Sequence, residues 1–595
     1  MKLRQYIFIL FFSLVLMACG GSDPDSGTQE PEPTTGNETP APTPTPDPTD
    51  SNELQAGFTA PFNKIFRQEP VNFQGTISDS VTIYMAKNEY EATQVVLFPA
   101  THLANVTVTL DNLQSETGSG MIPASDVEIN VVGYINLVTP TVVGSRTGWH
   151  PDPLLPNHAV NLEQNIPQAY LVTVQSRDTT AADTYRGTLS ISRDGDVIKQ
   201  LELRVVVWNF TLPRSSQFKT VSLANWDKAG QAWPPALGYS WPSQEEMKRR
   251  YLQLADLGFK NRLPPVAYIA NGLSSWNWQG EGGTSYGYPT HDELQNGSKL
   301  FNAQRTDELI DYMLAKGANH FFIALTSDIY LNPATAAQRE DALKQYLSDY
   351  TAHLRSRNLL DMAYVYGTDE PWGEAVQHAK DTYTLVKNQV AADIKFIQNT
   401  NQNNGTVIGE FMGFFDALDI NLGFYDITNS ESYRLQNPTQ MSDFWWNVNI
   451  WPQTHPNLFV EYPLSDARII GPLSFKYNMQ GFEYWDLLSF TGIDNYRPIS
   501  TSSVLTGWTV RDTSLDGTVV YPGEDFRFYS SLRLESFRDG MEDQEYLYLL
   551  RRVDPGNALL SVPIISGLTT YDSDQDGIMS YRNQIGELLH QANIQ

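Results

Sequence analysis

Cysteine is almost absent: Cys19 is the only one in 595 residues. The body of the chain therefore has no disulfide, no thiolate nucleophile and no cysteine-held metal. Basic residues are also scarce, since 40 Lys and Arg stand against 68 Asp and Glu for a formal net charge of −28. Nucleic acid is thus not expected as a partner, because phosphate neutralisation needs clustered lysine and arginine. The apolar run Tyr6 to Met17 is too short to span a bilayer in a mature protein. Several catalytic motifs are missing. Gly238-Tyr-Ser-Trp-Pro242 lacks the last glycine of a nucleophile elbow, no His-Glu-x-x-His occurs, and no glycine-rich segment has phosphate-loop spacing. The nine histidines are scattered and read as surface or core residues.

What is present begins with Lys2 and Arg4, the apolar run, and Leu16-Met-Ala-Cys19. This resembles a bacterial lipoprotein signal, in which cleavage precedes an acylated cysteine. The expectation is a signal over 1–19, a lipid anchor on Cys19 and the bilayer as a partner. Residues 20–55 follow as a tether, rich in Pro, Thr, Ser and Gly and free of Lys and Arg from Gly20 to Ser51. Extended as polyproline, it reaches on the order of 100 Å at about 3 Å per residue. Gly20 and Gly21 stand where many such proteins carry an inner-membrane retention Asp, so the resemblance implies a cell-envelope location at the outer membrane.

With 41% apolar and 12% aromatic residues, the rest is long enough for two or more domains with large cores. Over residues 56–213, short alternating stretches such as Val81–Tyr84, Gln94–Phe98, Val106–Leu110, Val127–Val131, Tyr170–Val174 and Leu201–Val207 read as an antiparallel β-sandwich. Nothing there gathers acids or aromatics in one place, so a bracing role is expected. Over residues 214–595 strands alternate with amphipathic helices. Eight strands are expected near Thr220–Leu223, Phe259–Leu263, His320–Leu325, Ala363–Tyr366, Ile394–Asn399, Gly423–Ile427, Asn457–Tyr462 and Gly481–Leu487. The fold class is therefore multidomain β plus α/β, a sandwich followed by a (β/α)8 TIM-type barrel. The stretch from Ser489 to about Ser530 is long for a βα loop and is expected to wall a cleft. A helix is expected over Ser531–Arg552.

Ala363-Tyr-Val-Tyr-Gly-Thr-Asp-Glu-Pro-Trp372 is the chemically distinctive stretch. A strand breaks at Gly367 and delivers Asp369 and Glu370 to its exit, where parallel α/β units meet their ligands. Pro371 biases Glu370 toward an extended conformation. Two carboxylates facing one cleft repel each other, so at least one pKa is expected to rise, which suits an acid that donates near neutrality. The alternative is a solvated loop pair that caps the next helix.

Further motifs accompany this one: Ala86-Lys-Asn-Glu-Tyr-Glu-Ala-Thr-Gln-Val95, Gly148-Trp-His-Pro-Asp-Pro-Leu-Leu-Pro156, Thr184-Tyr-Arg-Gly-Thr188 and Leu532 to Tyr546. With Tyr364 to Pro371, they make the chain similar to the glycoside hydrolase family 123-like proteins, many of which carry the domain DUF4091. The resemblance implies a glycosidase, and specifically an exo-β-N-acetylhexosaminidase of the N-acetylgalactosaminide type with a glycan substrate. It implies that Glu370 protonates the glycosidic oxygen and later deprotonates water, while Asp369 polarises the substrate's 2-acetamido group, whose oxygen is the nucleophile. The usual second carboxylate, about 5 Å from the first, is then unnecessary. Two other readings stay open: a family glycosidase acting on a non-acetamido algal or capsular sugar, and a non-catalytic surface glycan-binding lipoprotein.

Trp485 is a candidate floor under the sugar or a core tryptophan, and Trp226 a cleft residue or a core one. Arg262, Asn399, Asp426 and Glu461 fall near expected strand exits and are candidates for sugar hydroxyls or for interstrand structure. No cofactor is expected for catalysis. Asp572-Ser-Asp-Gln-Asp-Gly-Ile578 reads as a structural calcium loop through Asp572, Asp574 and Asp576, or as an acidic turn, since position twelve is Asn583. Nothing in the sequence sets an oligomeric state.

Overall fold

The computed structural model describes residues 53–224, 226–240, 242–266, 301, 303–324, 335–400, 410–411, 414–425 and 443–593. The signal-like run, Cys19, nearly all of the tether and Asp426 lie outside them. Among the described residues no helix is long and apolar enough to cross a membrane. Residues Asn52–Gln595 form one compact unit.

Two largely antiparallel sheets occupy the amino-terminal part, and all six stretches expected there fall inside observed strands. One sheet contains Leu54–Thr59, Tyr90–Pro99, Gln168–Gln175, Val127–Thr139 and Gly148–Pro156; the other contains Ser80–Lys87, Leu103–Leu110, Thr184–Arg193 and Asp196–Thr211. They share one core, with Val95, Val131, Tyr170 and Val172 from the first and Val106, Leu189, Leu203 and Val205 from the second. Leu201, Leu203, Val205 and Val207 are buried at every second position, the signature of a strand with one covered face. The first sheet also takes Leu505–Arg511, which runs parallel to Val127–Thr139. Part of the stretch expected to wall a cleft, Ile493–Asp494 and Leu505–Arg511, thus extends this sheet.

The carboxyl-terminal part is built on seven parallel strands: β1 (Lys219–Ser222), β2 (Phe321–Ala324), β3 (Ala363–Tyr366), β4 (Lys395–Thr400), β5 (Ala417–Asn421), β6 (Asp443–Val448) and β7 (Gly481–Tyr484). Their order is β1-β7-β6-β5-β4-β3-β2. Residues 263–266 bridge the remaining gap, because Ser222 N donates to Pro264 O at 3.0 Å and Phe322 N to Val266 O at 3.3 Å. Pro264 and Pro265 have no N–H to give, so the segment makes few ladder bonds while nearly closing a parallel barrel.

Five of the eight expected strands stand in place. The other three are displaced. Phe259 belongs to a helix, and the bridging segment starts at Leu263. The expected sixth strand lies earlier, at β5, and the seventh is β6, whereas 457–462 forms no strand.

Among the described residues the helices are α1 (Trp226–Gln231), α2 (Gln244–Lys260), α3 (Ala303–Lys316), α4 (Ala336–Ser356), α5 (Glu374–Gln389), α6 (Leu464–Lys476), α7 (Leu532–Val553) and α8 (Gln575–Ala592). Thr335 and Gln338 form a capping box at the start of α4, which satisfies two orphan donors there. Leu343, Tyr346, Leu347, Tyr350 and Leu354 then form its buried stripe. Helix α7 differs, being buried from Leu532 to Leu550. It meets α6 backbone to backbone at Gly471 and Gly540, where a Cβ on either would lie 1.9 Å from a carbonyl oxygen of the other helix.

Helix α7 is polar as well as buried because its charges are paired. Arg533 holds Asp152 at 2.8 Å; Arg468 holds Asp543 at 2.7 Å; Arg582 of α8 holds Glu89 and Glu91, each at 2.7 Å. Arg538 pairs with Glu535 and Asp539. Arg468, Arg538 and Arg582 thus form one buried network with acids of two of the distinctive motifs, and Arg533 with Asp152 a separate buried pair.

Candidate active site

The carboxyl ends of the barrel strands converge on acids and amides. Asp369 and Glu370 lie on the irregular loop leaving β3, where Gly367 is needed because a Cβ would meet Gln398 Oε1 at 2.2 Å. Glu370 is not extended as Pro371 suggested: its φ is 39°. That left-handed conformation costs a non-glycine residue about 1–3 kcal/mol, and such strain concentrates at functional sites. Asn449, beyond β6, donates to Glu370 Oε1 at 3.4 Å.

Below the pair is a polar layer of buried side chains. The Tyr366 hydroxyl lies 3.4 Å from Asp369 Oδ1 and 3.2 Å from Glu483 Oε2. Asn399 of β4 and Asn447 of β6 both donate to Asp419 Oδ2 of β5, at 3.2 and 3.0 Å. Asp419 and Glu483 are themselves hydrogen bonded, and both are buried. Among the described residues no lysine, arginine or histidine pairs with Asp369, Asp419 or Glu483. Beneath the layer Phe322, Tyr364 and Trp445 fill the barrel with packed rings.

Burial therefore acts on these acids with little to oppose it. Desolvation, followed by the charge of Asp419, carries the Glu483 pKa well above its ordinary value. Asp419 is raised chiefly by desolvation, against the hydrogen bonds it accepts. Asp369 presents exposed surface, yet the enclosing protein strips enough water from it to raise its pKa, with the Tyr366 hydroxyl opposing. The expected rise thus has solvent exclusion as its main cause at Asp369.

Among the other candidates, Asn399 joins the polar layer. Trp485 follows β7 and packs its ring against Gly517, where a Cβ would lie 2.3 Å from the ring. Trp226 opens α1 after β1, and its side chain lies outside what the structure describes. Arg262 is at the wrong end of the barrel, because the bridging strand begins after it and not before. It contacts Glu542 at 3.4 Å and lines a cavity of about 320 Å³ with Arg214, Lys316 and His320, away from the acids. Glu461 is also displaced. With β6 at 443–448, it lies in a later loop and accepts from the backbone of Thr141 and Val142 at 3.1 and 3.2 Å, tying barrel to sheet.

The acids expected to form a calcium loop act at the start of a helix in this structure. Asp574 caps α8 by accepting from Gly577 N at 3.1 Å, and Asp572 accepts from Asp574 N at 2.9 Å. The helix starts at Gln575, so Asn583 lies within it and accepts from Arg582 at 3.1 Å. Among the described residues no group of three acidic, histidine or cysteine side chains is arranged to hold a metal.

Asp419, Glu483 and Asn447 were not singled out from the sequence. Glu483 had a signal, an acid inside the apolar run Gly481-Phe-Glu-Tyr-Trp485. Asp419 and Asn447 sit on the two misplaced strands.

Comparison with known proteins relates this acid-lined barrel mouth to glycosidases. Residues 325–550 match the glycoside hydrolase 123 catalytic domain. Among solved structures, a family 123 glycoside hydrolase from Clostridium perfringens, described for glycolipid glycan hydrolysis, superposes with a TM-score of 0.61 at 13% identity, over 91% of this chain and 98% of that one. A Bacteroides ovatus GH5 xyloglucanase aligns at TM-score 0.28 and 11% identity over 78% of this chain and 98% of its own. A GH2 β-galacturonidase from Eisenbergiella tayi aligns at 0.30 and 10% over 82% and 72%. No curated protein matches the sequence. Residues 325–550 thus resemble a glycoside hydrolase 123 catalytic domain, and the chain is similar to glycosidases of that family.

Proposed function

We propose that this chain is an exo-acting β-N-acetylhexosaminidase working by substrate-assisted, retaining hydrolysis, lipid-anchored through Cys19 at the outer membrane of a bacterial envelope. The observation that carries the catalytic part is the adjacency of Asp369 and Glu370 at the exit of β3. Asp369 stands over a polar layer to which the described residues supply no cation, and Glu370 reaches Asn449 on a facing loop.

In the first step the acetamide oxygen bonds to the anomeric carbon while the glycosidic C–O bond breaks, and Glu370 gives its proton to the departing oxygen. Asp369 accepts a hydrogen bond from the acetamide N–H, whose positive character grows as the oxazoline forms. In the second step Glu370 takes a proton from water, which opens the ring on the face the leaving group left. Two inversions give net retention. An ionised Asp369 interacts more strongly with the transition state than with the ground state, which is what accelerates a reaction.

A panel of aryl N-acetylgalactosaminides, N-acetylglucosaminides and plain hexosides, run with a stable thiazoline of the amino sugar, tests the reading. Expected are turnover of acetamido sugars only, tight thiazoline inhibition, and loss of both in Asp369→Asn, by about 100-fold or more for turnover. Plain hexosides cleaved as fast, with the thiazoline ignored, would point to the non-acetamido alternative. Glycan binding without turnover would point to a binding protein.

A further inference from the structure

Glu483 has no part in the two steps above, yet it is a buried acid at the centre of the mouth. Its surroundings define its state. Facing it are Asp419 from β5, and Tyr366 and Asp369 from β3 and its loop. Strands β4 and β6 contribute the uncharged amides of Asn399 and Asn447 around Asp419, and β1 sets Val221 beside Glu483 in register.

Two carboxylates in contact without a cation cannot both remain ionised when buried. The hydrogen bonds say where the shared proton lies. Asp419 Oδ2 accepts from both amides, as an ionised oxygen would, whereas the buried Oδ1 has no conventional donor. A hydroxyl on Glu483 supplies that donor. Glu483 is hydrogen bonded to Asp419, and its Oε2 also faces the Tyr366 hydroxyl.

Tyr366 completes the argument. Its single hydroxyl proton has two acceptors in range, Glu483 and Asp369, and can serve only one at a time. An ionised Glu483 would draw it away and add a second negative charge under Asp369. A neutral Glu483 leaves it for Asp369.

We infer that Glu483 is a positioning residue held in its neutral form, whose proton joins it to Asp419 and thereby commits the Tyr366 hydroxyl to Asp369. Asp369 is then ionised, oriented and flanked by one unit of charge fewer than the count of acids suggests. This assignment rests on the reading of Asp369 given above, but its principal test does not need turnover.

The test compares Glu483→Gln, which keeps the shape and a donor, with Glu483→Ala, which keeps neither. Infrared spectroscopy of the folded protein at neutral pH should show a protonated-carboxyl carbonyl band that Glu483→Gln removes. On acetamido substrates Glu483→Ala should lose about 100-fold in kcat, the scale of a misplaced catalytic group, with Glu483→Gln recovering most of it. Tyr366→Phe should move the acidic limb of kcat/KM to higher pH, since Asp369 loses the hydrogen bond that opposes its raised pKa.

A missing band in the wild-type protein would overturn the assignment. So would a folded Glu483→Gln as inactive as Glu483→Ala, because the residue would then have to ionise or transfer a proton. A wild-type protein that turns over no glycoside but shows the band would remove the proposed activity and leave the proton where it is placed here.

Discussion

Among the described residues, two clusters of acids differ in what surrounds them. Between the sheets and helices α6, α7 and α8, acids are matched by Arg468, Arg533, Arg538 and Arg582, each at most 2% exposed. At the barrel mouth, Asp369, Asp419 and Glu483 have amides and a tyrosine instead. In the first region burial still pushes on each group and arginines oppose it, with unequal success: at Glu542 desolvation outweighs Arg262 and Arg538 and carries the pKa well above its ordinary value. Desolvation would raise Glu535, and Arg538 with Lys260 outweighs it and holds that carboxyl below its ordinary range. Even there the balance is close: at Asp539 desolvation exceeds the pull of Arg538 and Arg468 and leaves the pKa at about 6. In the second region burial raises all three acids, and Glu483 most of all. A matched acid fixes structure through its charge, whereas an unmatched one is left with a movable proton, which is what chemistry needs.

The sharpest way to break this contrast is to remove a cation from the matched region. Arg533 binds Asp152 through two nitrogens, at 3.0 and 2.8 Å, and the carbonyl of Thr518 at 2.6 Å. Arg533→Ala should cost about 3–5 kcal/mol in denaturant unfolding, since it strands a buried carboxylate. Replacing both partners together, as Arg533→Met with Asp152→Leu, should recover much of that loss. A single variant within about 1 kcal/mol of the parent would mean that packing, and not charge, holds the region.

A smaller effect, with a distinctive sign, is expected from the unmatched region. The folded pKa of Glu483 lies well above its ordinary value, so below about pH 4.5 both folded and unfolded forms hold the proton and the group is neutral to stability. As pH rises beyond that point the unfolded chain releases the proton first. Stability therefore falls, by up to about 1.4 kcal/mol per pH unit, until the folded form also ionises. Glu483→Gln removes this slope, so its unfolding free energy should gain on the parent progressively between pH 5 and pH 8, by up to about 1.4 kcal/mol per pH unit. A constant difference across the range would show that Glu483 ionises normally when folded.

The same contrast explains what was legible in the sequence. The sheet strands and helices such as α4 follow apolar periodicity, which survives because one face of each is covered by hydrocarbon. The acid pair was legible because it lies on a loop, interrupting no pattern. Strands β5 and β6 were misplaced because Asp419, Asn421, Asp443 and Asn447 break up their apolar runs, and two of those residues are the ones that build the mouth. Arg262 went wrong for a related reason, as the Pro264-Pro265 pair hid the short segment that truly follows it. Helix α7 was placed correctly, though its buried charges could be understood only with the partners that the sheets supply.

The acidic tail offers a third environment and the smallest expected effect. Asp572 and Asp574 have neither an arginine partner nor a buried setting, because backbone N–H groups at the start of α8 already serve them. An acid at a helix start needs no further compensation: the orphan N–H groups and the positive end of the helix dipole favour its charge. Asp574→Ala should therefore cost about 1 kcal/mol, the usual value of a lost cap. Asp576→Asn, which alters a first-turn charge, should cost less than about 1 kcal/mol. Under the cap reading, millimolar calcium and chelator should leave the melting curve where it was. A rise on adding calcium, abolished by Asp576→Asn, would instead mean that the loop rearranges to take a metal, since a ligand bound only by the folded state stabilises it by mass action. The rule that exposed acids at a helix end need no cation would then fail at this position, while the buried comparison between the arginine network and the barrel mouth would stand.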